Sequence, residues 1–98
     1  MSVLEVARLT VPEGAADDFE MAFAEAHALV TAAGGRLASD LTRIVGTTSD
    51  YLFVVEWRTL ADHVEGFAGS PDFATFEGLI GPYLVGAPVV HHYESIEG

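Results

Sequence analysis

YLFVVEWRTLADHVEGF, which runs from Tyr51 to Phe67, is the stretch that decides the fold. It opens with a strand-like run that is apolar at every position from Tyr51 to Val55, and His63 follows Trp57 by six residues. A sheet that is covered on one side alternates apolar and polar side chains along its strands. A strand that is apolar on both faces therefore predicts that both sides of the sheet are covered.

The segments around this strand repeat the order strand, helix, strand. Apolar residues at helical spacing predict a long first helix, and Ser70-Pro71 predicts the start of a later one. Thr59 and Asp62 are spaced as a capping box, which predicts a short helix that carries His63. The predicted elements are strands at 3–11, 36–45, 51–58 and 89–96, and helices at 15–33, 60–67 and from 71 onward. This order predicts an α+β, ferredoxin-like βαββαβ fold, with a four-stranded antiparallel sheet and the helices on one face.

The third strand has more apolar surface than these helices can cover. Phe53, Val55 and Trp57 point to one face, and Leu52 and Val54 point to the other. Helices on one side of the sheet cover only one of these sets, and the chain has no spare segment long enough to cover the second. We therefore expect a second copy to pack against the outer face, and a two-fold homodimer is the commonest such arrangement.

The composition excludes several classes of function. The chain has 98 residues, a formal net charge of −11 and no cysteine. Nucleic acids and anionic membranes need basic surface, so neither is an expected partner. No apolar run reaches the roughly 20 residues that span a bilayer, and the N-terminus lacks a signal-peptide pattern, so a cytoplasmic protein is expected. No metal-ligand spacing, phosphate-binding loop or nucleophilic serine motif is visible, so neither a metal nor another cofactor is predicted.

His63 and Trp57 are the residues to which we assign candidate catalytic roles. His63 is predicted to lie near the start of the short helix and to face the sheet, where the helix dipole favours a neutral imidazole. A neutral imidazole beside an apolar cavity can accept a proton. Trp57 supplies a large ring and one N–H donor. The alternative for each is structural, as a packed histidine and as a core anchor.

Four further side chains come into consideration. His91 and His92 are neighbours in the last strand and point to opposite faces, so they cannot bind one metal ion together. His92 shares a face with Val90, and either histidine could face the helices. Tyr83 completes the stripe of the last helix, where its hydroxyl can reach a cavity or lie at the edge of the core. His27 is interpreted as a partly exposed helix residue.

Several of these residues fall into a recurring pattern, namely Glu56-Trp57 at the end of a strand, His63, Phe67, Ser70-Pro71-Asp72-Phe73 and a closing His92-Tyr93-Glu94. With this pattern the chain resembles the antibiotic biosynthesis monooxygenase (ABM) family, and TVPEGAADDFEMAF near the N-terminus fits the same outline. The resemblance implies a single ABM-like domain over residues 1–98 and a dimeric α/β barrel.

The chain also departs from parts of this family. Relatives that oxidise aromatic polyketides without a cofactor carry an Asn four residues before the Trp and a Tyr six after it, where this chain has Phe53 and His63. Quinol-oxidising relatives often carry a second His nine residues after the Trp, where this chain has Gly66. Haem-degrading relatives need an Asn in the first strand, and this chain contains no Asn, so haem degradation is not expected.

The resemblance implies a cofactor-independent monooxygenase-like enzyme that oxidises a phenolic, quinol or anthrone-type small aromatic molecule with O₂. His63 would act as general base or as hydrogen-bond partner of the phenolate, beside Trp57. The substrate-binding residues are expected to be Phe53, Val55, Phe67, Phe76, Tyr83 and His92. Two alternatives remain open. One is a non-oxidative lyase, isomerase or cyclase that needs only acid–base groups, and the other is a non-catalytic dimer that binds a small molecule.

Overall fold

Four antiparallel strands form a single sheet in the computed structural model, which describes residues 2–97. The strands are β1 (Val3–Thr10), β2 (Arg36–Arg43), β3 (Asp50–Trp57) and β4 (Val89–Glu94), and their order in the sheet is β2-β3-β1-β4. The helices are α1 (Ala16–Thr31) and α2 (Pro71–Ile80), with a π-helical turn at Asp62–Phe67 and a 3₁₀ turn at Gly81–Tyr83. The predicted ferredoxin-like α+β fold is therefore confirmed.

Both helices pack on the same face of the sheet, which we call the inner face. They bury apolar side chains against the odd-numbered residues of β3, which are at most 5% exposed. The core comprises Ala7, Leu9, Val11, Phe19, Phe23, Ala26, Val30, Tyr51, Phe53, Val55, Trp57, Phe67, Phe76 and Ile80. The hydrophobic layer therefore lies between one face of the sheet and the two helices.

The opposite, outer face of the sheet is also apolar. Leu52 and Val54 point to this face and are half-buried, while Leu4, Val89 and Tyr93 are 41%, 54% and 52% exposed. Because the helices cover only the inner face, the outer face stays largely open within the single chain. This is the surface for which the sequence predicts a second copy.

The connection from β3 to α2 carries His63. It begins with the predicted capping box, in which the backbone N–H of Asp62 donates to Thr59 Oγ1 and the N–H of Thr59 donates to Asp62 Oδ2, each at 3.1 Å. The sequence predicted an ordinary short helix, but the turn widens so that the N–H of Ala68 donates to the carbonyl of His63 at 2.8 Å. The result holds His63 and Phe67 against the sheet, and π-helical turns of this kind are frequent at functional sites.

Gly35 allows the turn before β2 to pack against this capping box. It has a φ of +85°, and a Cβ at this position would overlap the Asp62 carboxyl group. Its carbonyl also accepts a hydrogen bond from the N–H of Arg58 at 2.7 Å. A side chain at Gly35 would therefore push away the turn that positions His63.

Helix α2 begins where the sequence predicts. Ser70 caps its N-terminus, since its Oγ accepts a hydrogen bond from the N–H of Phe73 at 3.3 Å, and Pro71 occupies the first helical position. The α-helix ends at Ile80 and tightens into the 3₁₀ turn at Gly81–Tyr83. Neither helix of residues 2–97 combines the length and apolarity that a bilayer crossing requires.

Candidate active site

Trp57 and His63 stack on each other at one end of the inner face. Trp57 is the last residue of β3 and is 1% exposed. The imidazole of His63 lies over the indole, with ring centroids 5.3 Å apart and planes inclined by 14°. The structure thus brings together the two residues to which the sequence assigned candidate catalytic roles, and both are buried.

A third residue, Glu5, joins this pair and was not identified from the sequence. Its carboxylate is buried, and its Oε1 accepts a hydrogen bond from Trp57 Nε1–H at 2.9 Å. The Nε2 of His63 lies 3.3 Å from the same oxygen. The antiparallel register explains this position, because Val3 of β1 lies opposite Trp57 and Glu5 follows on the same face, two residues along.

His92 completes the cluster from β4. It lies directly opposite Glu5 in the sheet, and its Nε2 is 2.8 Å from His63 Nδ1. His91 lies opposite Val6 and points to the outer face, so His92 is the histidine that reaches the helical side. His63 therefore contacts Glu5 through one ring nitrogen and His92 through the other. Residues 2–97 contain no group of three or more side chains placed to hold a metal ion.

Both ring nitrogens of His63 are engaged. Burial is the main cause that lowers the pKa of His63 below its ordinary value, and the neighbouring His92 lowers it further, while the Glu5 carboxylate acts in the opposite direction. The imidazole is therefore neutral at pH 7. A proton on Nε2 satisfies the Glu5 oxygen and leaves Nδ1 as the acceptor for an N–H of His92, a tautomer assigned from the hydrogen-bond pattern.

A cavity of about 500 Å³ opens next to this cluster, between the sheet and the helices. Glu5, Trp57 and His63 form its polar end, and Gly86 and Pro88 lie at its exposed rim. Its walls are apolar and include Ala7, Leu9, Val30, Phe53, Phe67, Phe73, Phe76, Ile80, Leu84 and Val90. A cavity of this size and composition suits a small, mostly apolar molecule that meets a few polar groups at one end.

The predicted binding residues divide into three groups. Phe53, Phe67 and Phe76 line the cavity together with Trp57 and His63. The cavity-lining residues within 2–97 do not include Val55, which is 0% exposed in the core, or Tyr83, which packs half-buried against the core edge. His92 reaches the site through its hydrogen bond to His63.

His27 lies outside this cavity. Its Nε2 is 2.7 Å from Ser39 Oγ, on the side of α1 that meets β2. Its pKa is also lowered, first by burial and then by the nearby guanidinium of Arg36, while Asp40 opposes the shift. His27 is therefore a second partly buried histidine with a structural contact, and it provides a matched reference for His63.

One sequence signal could have identified Glu5. The odd-numbered positions of β1 are otherwise apolar and include Ala7 and Leu9 on the buried side. A carboxylate in register with those positions must be buried or must face a cavity. The contacts with His63 and His92 depend on the long-range pairing of β1 with β3 and β4, which the local sequence does not specify.

Comparison with known proteins identifies the family and supports the fold. Residues 2–78 match the antibiotic biosynthesis monooxygenase family. The uncharacterised protein YczJ of Bacillus subtilis strain 168 is 34% identical over 94 residues, which span 96% of this chain and 99% of YczJ. A crystal structure from Bordetella bronchiseptica, described with the same family name, is 31% identical, with a TM-score of 0.91 over 98% of both chains. SnoaB of Streptomyces nogalater, a cofactor-independent oxygenase, is 20% identical and shares the fold, with a TM-score of 0.85 over 99% of this chain and 95% of its own. The chain therefore belongs to the antibiotic biosynthesis monooxygenase family.

Proposed function

We propose that this protein is a cofactor-independent monooxygenase-like enzyme that oxidises a phenolic, quinol or anthrone-type aromatic molecule with O₂. The observation that carries the proposal is the apolar cavity of about 500 Å³ whose polar end is formed by Glu5, Trp57 and His63. Its aromatic walls suit a flat aromatic ring, and its polar end suits a hydroxyl group. Membership of the family and the shared fold with SnoaB support oxidation as the reaction type.

The proposed reaction needs only proton transfer from the protein. Loss of a proton from a phenol or from the enol form of an anthrone gives an electron-rich anion, which passes an electron to O₂. For an anthrone, the methylene carbon becomes a carbonyl, one oxygen atom of O₂ enters the product and the other leaves as water. The protein contributes deprotonation, orientation of the ring and exclusion of water.

His63 is proposed as the general base or as the hydrogen-bond partner of the phenolate. Its lowered pKa keeps the imidazole in the basic, neutral form at pH 7. Because its two nitrogens contact Glu5 and His92, it would act as part of this group rather than alone. The hydrogen bond from Trp57 to Glu5 would hold the group in place when substrate enters.

Oxygen consumption with an anthrone tests this function. Wild-type protein should consume O₂ and form the quinone, and His63→Ala should reduce the rate by roughly a hundredfold or more, a typical contribution of a general base. His27→Ala is the matched control, because His27 is also partly buried with a lowered pKa but lies outside the cavity. Equal rates for the wild type and His63→Ala would remove the role of His63.

We further propose that the protein works as a homodimer whose subunits pack through their outer faces. Leu4, Val89 and Tyr93 expose apolar surface there, next to the half-buried Leu52 and Val54. Light scattering at micromolar concentration should give the mass of two chains, and Leu4→Glu should lower it to one. Met21→Glu, on the exposed side of α1, should leave the dimer intact. A monomeric wild type would contradict this arrangement.

A non-oxidative acid–base enzyme is the second candidate function. It gains support from Phe53, which stands where the resemblance implies an amide in relatives that use O₂, and from the acid–base groups gathered at Glu5 and His63. Such a lyase, isomerase or cyclase would form product under strict anaerobiosis, whereas the oxygenase would not. The third possibility, a non-catalytic binding dimer, would bind aromatic ligands without converting them under either condition.

A further inference from the structure

The carboxylate of Glu5 has an asymmetric environment. Both donors that reach it, Trp57 Nε1–H at 2.9 Å and His63 Nε2 at 3.3 Å, are directed at Oε1. Within residues 2–97, no side chain or backbone group donates a hydrogen bond to Oε2. This oxygen is nevertheless still accessible to solvent. Glu5 is 8% exposed and lines the cavity. Its second oxygen is therefore the acceptor that the cavity offers to a bound molecule.

The charges around this oxygen are unusual for a buried carboxylate. The groups next to the Glu5 side chain are the neutral His63 from the π-helical turn, Trp57 from β3 and His92, its neighbour on β4. The described lining of the cavity contains no arginine, and its other charged residue is Glu77, exposed on α2. An anion that entered would therefore meet a carboxylate in a low-dielectric space, with no cation beside it to offset the repulsion.

We propose that the cavity selects uncharged molecules that carry a hydroxyl group, and that this hydroxyl donates its hydrogen bond to Glu5 Oε2. Carboxylates, sulfates and phosphates are excluded by the same oxygen. This inference rests on the proposed function in taking the cavity as the substrate site, and it adds the class of substrate and a specificity-determining role for Glu5.

The same contact orients the hydroxyl for the proposed reaction. The bonds of Trp57 and His63 to Oε1 leave Oε2 as the oxygen that meets the substrate. Glu5 would therefore hold the hydroxyl next to the group, formed with His63, that is proposed to take its proton.

Binding of three matched ligands in the absence of O₂ tests the selection. Isothermal titration calorimetry at pH 7 would compare 2-naphthol, 2-methoxynaphthalene and 2-naphthoate, which share a ring system and differ as donor, acceptor and anion. The wild type should bind 2-naphthol roughly tenfold to a hundredfold more tightly than the other two, the range expected for a hydrogen bond to a charged group. Equal affinities, or no binding of 2-naphthol, would overturn the proposal.

Glu5→Gln provides a sharper test, because the amide can keep its oxygen toward Trp57 and His63 while its NH₂ faces the cavity. The cavity atom then changes from acceptor to donor, so 2-methoxynaphthalene and 2-naphthoate should gain affinity and 2-naphthol should lose it. Glu25→Gln, exposed on α1, removes the same charge elsewhere and should leave the ligand order unchanged. An unchanged order in Glu5→Gln would overturn the role of Glu5, and the wild-type comparison stands even where this variant does not fold.

The binding experiments and the O₂-uptake assay can fail independently of each other. Ligand selection without O₂ uptake would support the specificity of Glu5 and contradict the oxygenase. Conversely, O₂ uptake with equal binding of 2-naphthol and 2-naphthoate would support the oxygenase and contradict the selection.

Discussion

The two ends of the inner face contain the same kind of hydrogen bond in different surroundings. At each end, an aromatic residue of β3 donates a hydrogen bond to a carboxylate on another element. We call these the Trp57 end (Glu5, Trp57, His63 and His92) and the Tyr51 end (Glu20, Arg43 and Tyr51). At the Tyr51 end, the hydroxyl of Tyr51 donates to Glu20 Oε2 at 2.6 Å, and Arg43 forms an ion pair with the same carboxylate. At the Trp57 end, histidines take the place of the arginine, and the carboxylate is buried at the polar end of the apolar cavity.

The difference separates a structural contact from a candidate site. The hydrogen bond from Tyr51, followed by the hydrogen bond from Arg43, lowers the pKa of Glu20, so the charged form of Glu20 is favoured. Burial, followed by the hydrogen bond to Glu20, raises the pKa of Tyr51, which keeps its hydroxyl as a donor. At the Trp57 end, the two donors of Glu5 also share one oxygen, but neither of them is a cation and the carboxylate is buried. A buried carboxylate without a cation beside it can bind a ligand that enters the cavity, whereas a carboxylate paired with an arginine stabilises the fold.

Replacement of Trp57 should have the largest effect on stability. Trp57→Ala removes a ring that is 1% exposed, stacked on His63 and bonded to Glu5. We expect the free energy of unfolding to fall by about 3 kcal/mol, the lower end of the usual range, because one side of the ring already faces a cavity. Urea denaturation followed by far-UV circular dichroism measures the change. A loss below about 1 kcal/mol would mean that the Trp57 end contributes little packing energy.

Removal of one polar group at each end should affect the free energy of unfolding differently. Tyr51→Phe removes the hydroxyl that bonds Glu20 and should lower the free energy of unfolding by about 1 kcal/mol. Glu5→Gln removes a buried charge that lacks a cation and should leave stability unchanged or raise it, as is common for residues retained for function. The same denaturation experiment at pH 7 compares the two variants. A larger loss for Glu5→Gln than for Tyr51→Phe would make the Trp57 end a structural site.

The smallest expected effect is a pH dependence that His63 introduces at the Trp57 end. Its pKa is lower in the folded chain than the ordinary value of about 6.5 in the unfolded chain. Above about pH 7.5 neither state binds the proton, and stability is complete. As the pH falls through about 6.5, the unfolded chain takes up the proton first, so the free energy of unfolding decreases.

The same sign holds for His27, whose pKa is also lowered. The decrease in stability between about pH 7.5 and pH 5.5 should therefore become smaller in His63→Gln and in His27→Gln, and smallest in the double variant. Denaturant titrations at four or five pH values measure these slopes. A wild-type stability that rises on acidification through this window would contradict the lowered pKa of His63.

The fold followed from the sequence because its signals are local. The double-sided apolar run of β3, the Thr59–Asp62 capping box and the Ser70-Pro71 helix start each specify an element without reference to distant residues. The contact between Trp57 and His63 also followed, since only a short turn separates them. The π-helical form of that turn did not, because a capping box marks a helix start and does not fix its pitch.

The rest of the site depends on pairings between distant segments. Glu5 meets Trp57 only through the β1–β3 register, and His92 meets Glu5 only because β4 pairs with β1. The packing of the helices on the sheet determines whether Val55 and Tyr83 line the cavity. Neither does, because Val55 lies in the core and Tyr83 packs against it. Periodicity gives the face on which a side chain lies, but it does not give the place where a cavity opens along that face.

We propose that the Trp57 end binds the ligand and that the Tyr51 end is structural. Nuclear magnetic resonance can test this division in one titration. The chain contains a single tryptophan, so one indole N–H resonance reports on Trp57 and on its bond to Glu5. On addition of 2-naphthol, we expect this resonance to shift in a saturable manner, and to shift more than the backbone amides of Arg43 and Tyr51. An unmoved indole resonance, or larger shifts at Arg43 and Tyr51, would contradict the assignment of the Trp57 end as the site.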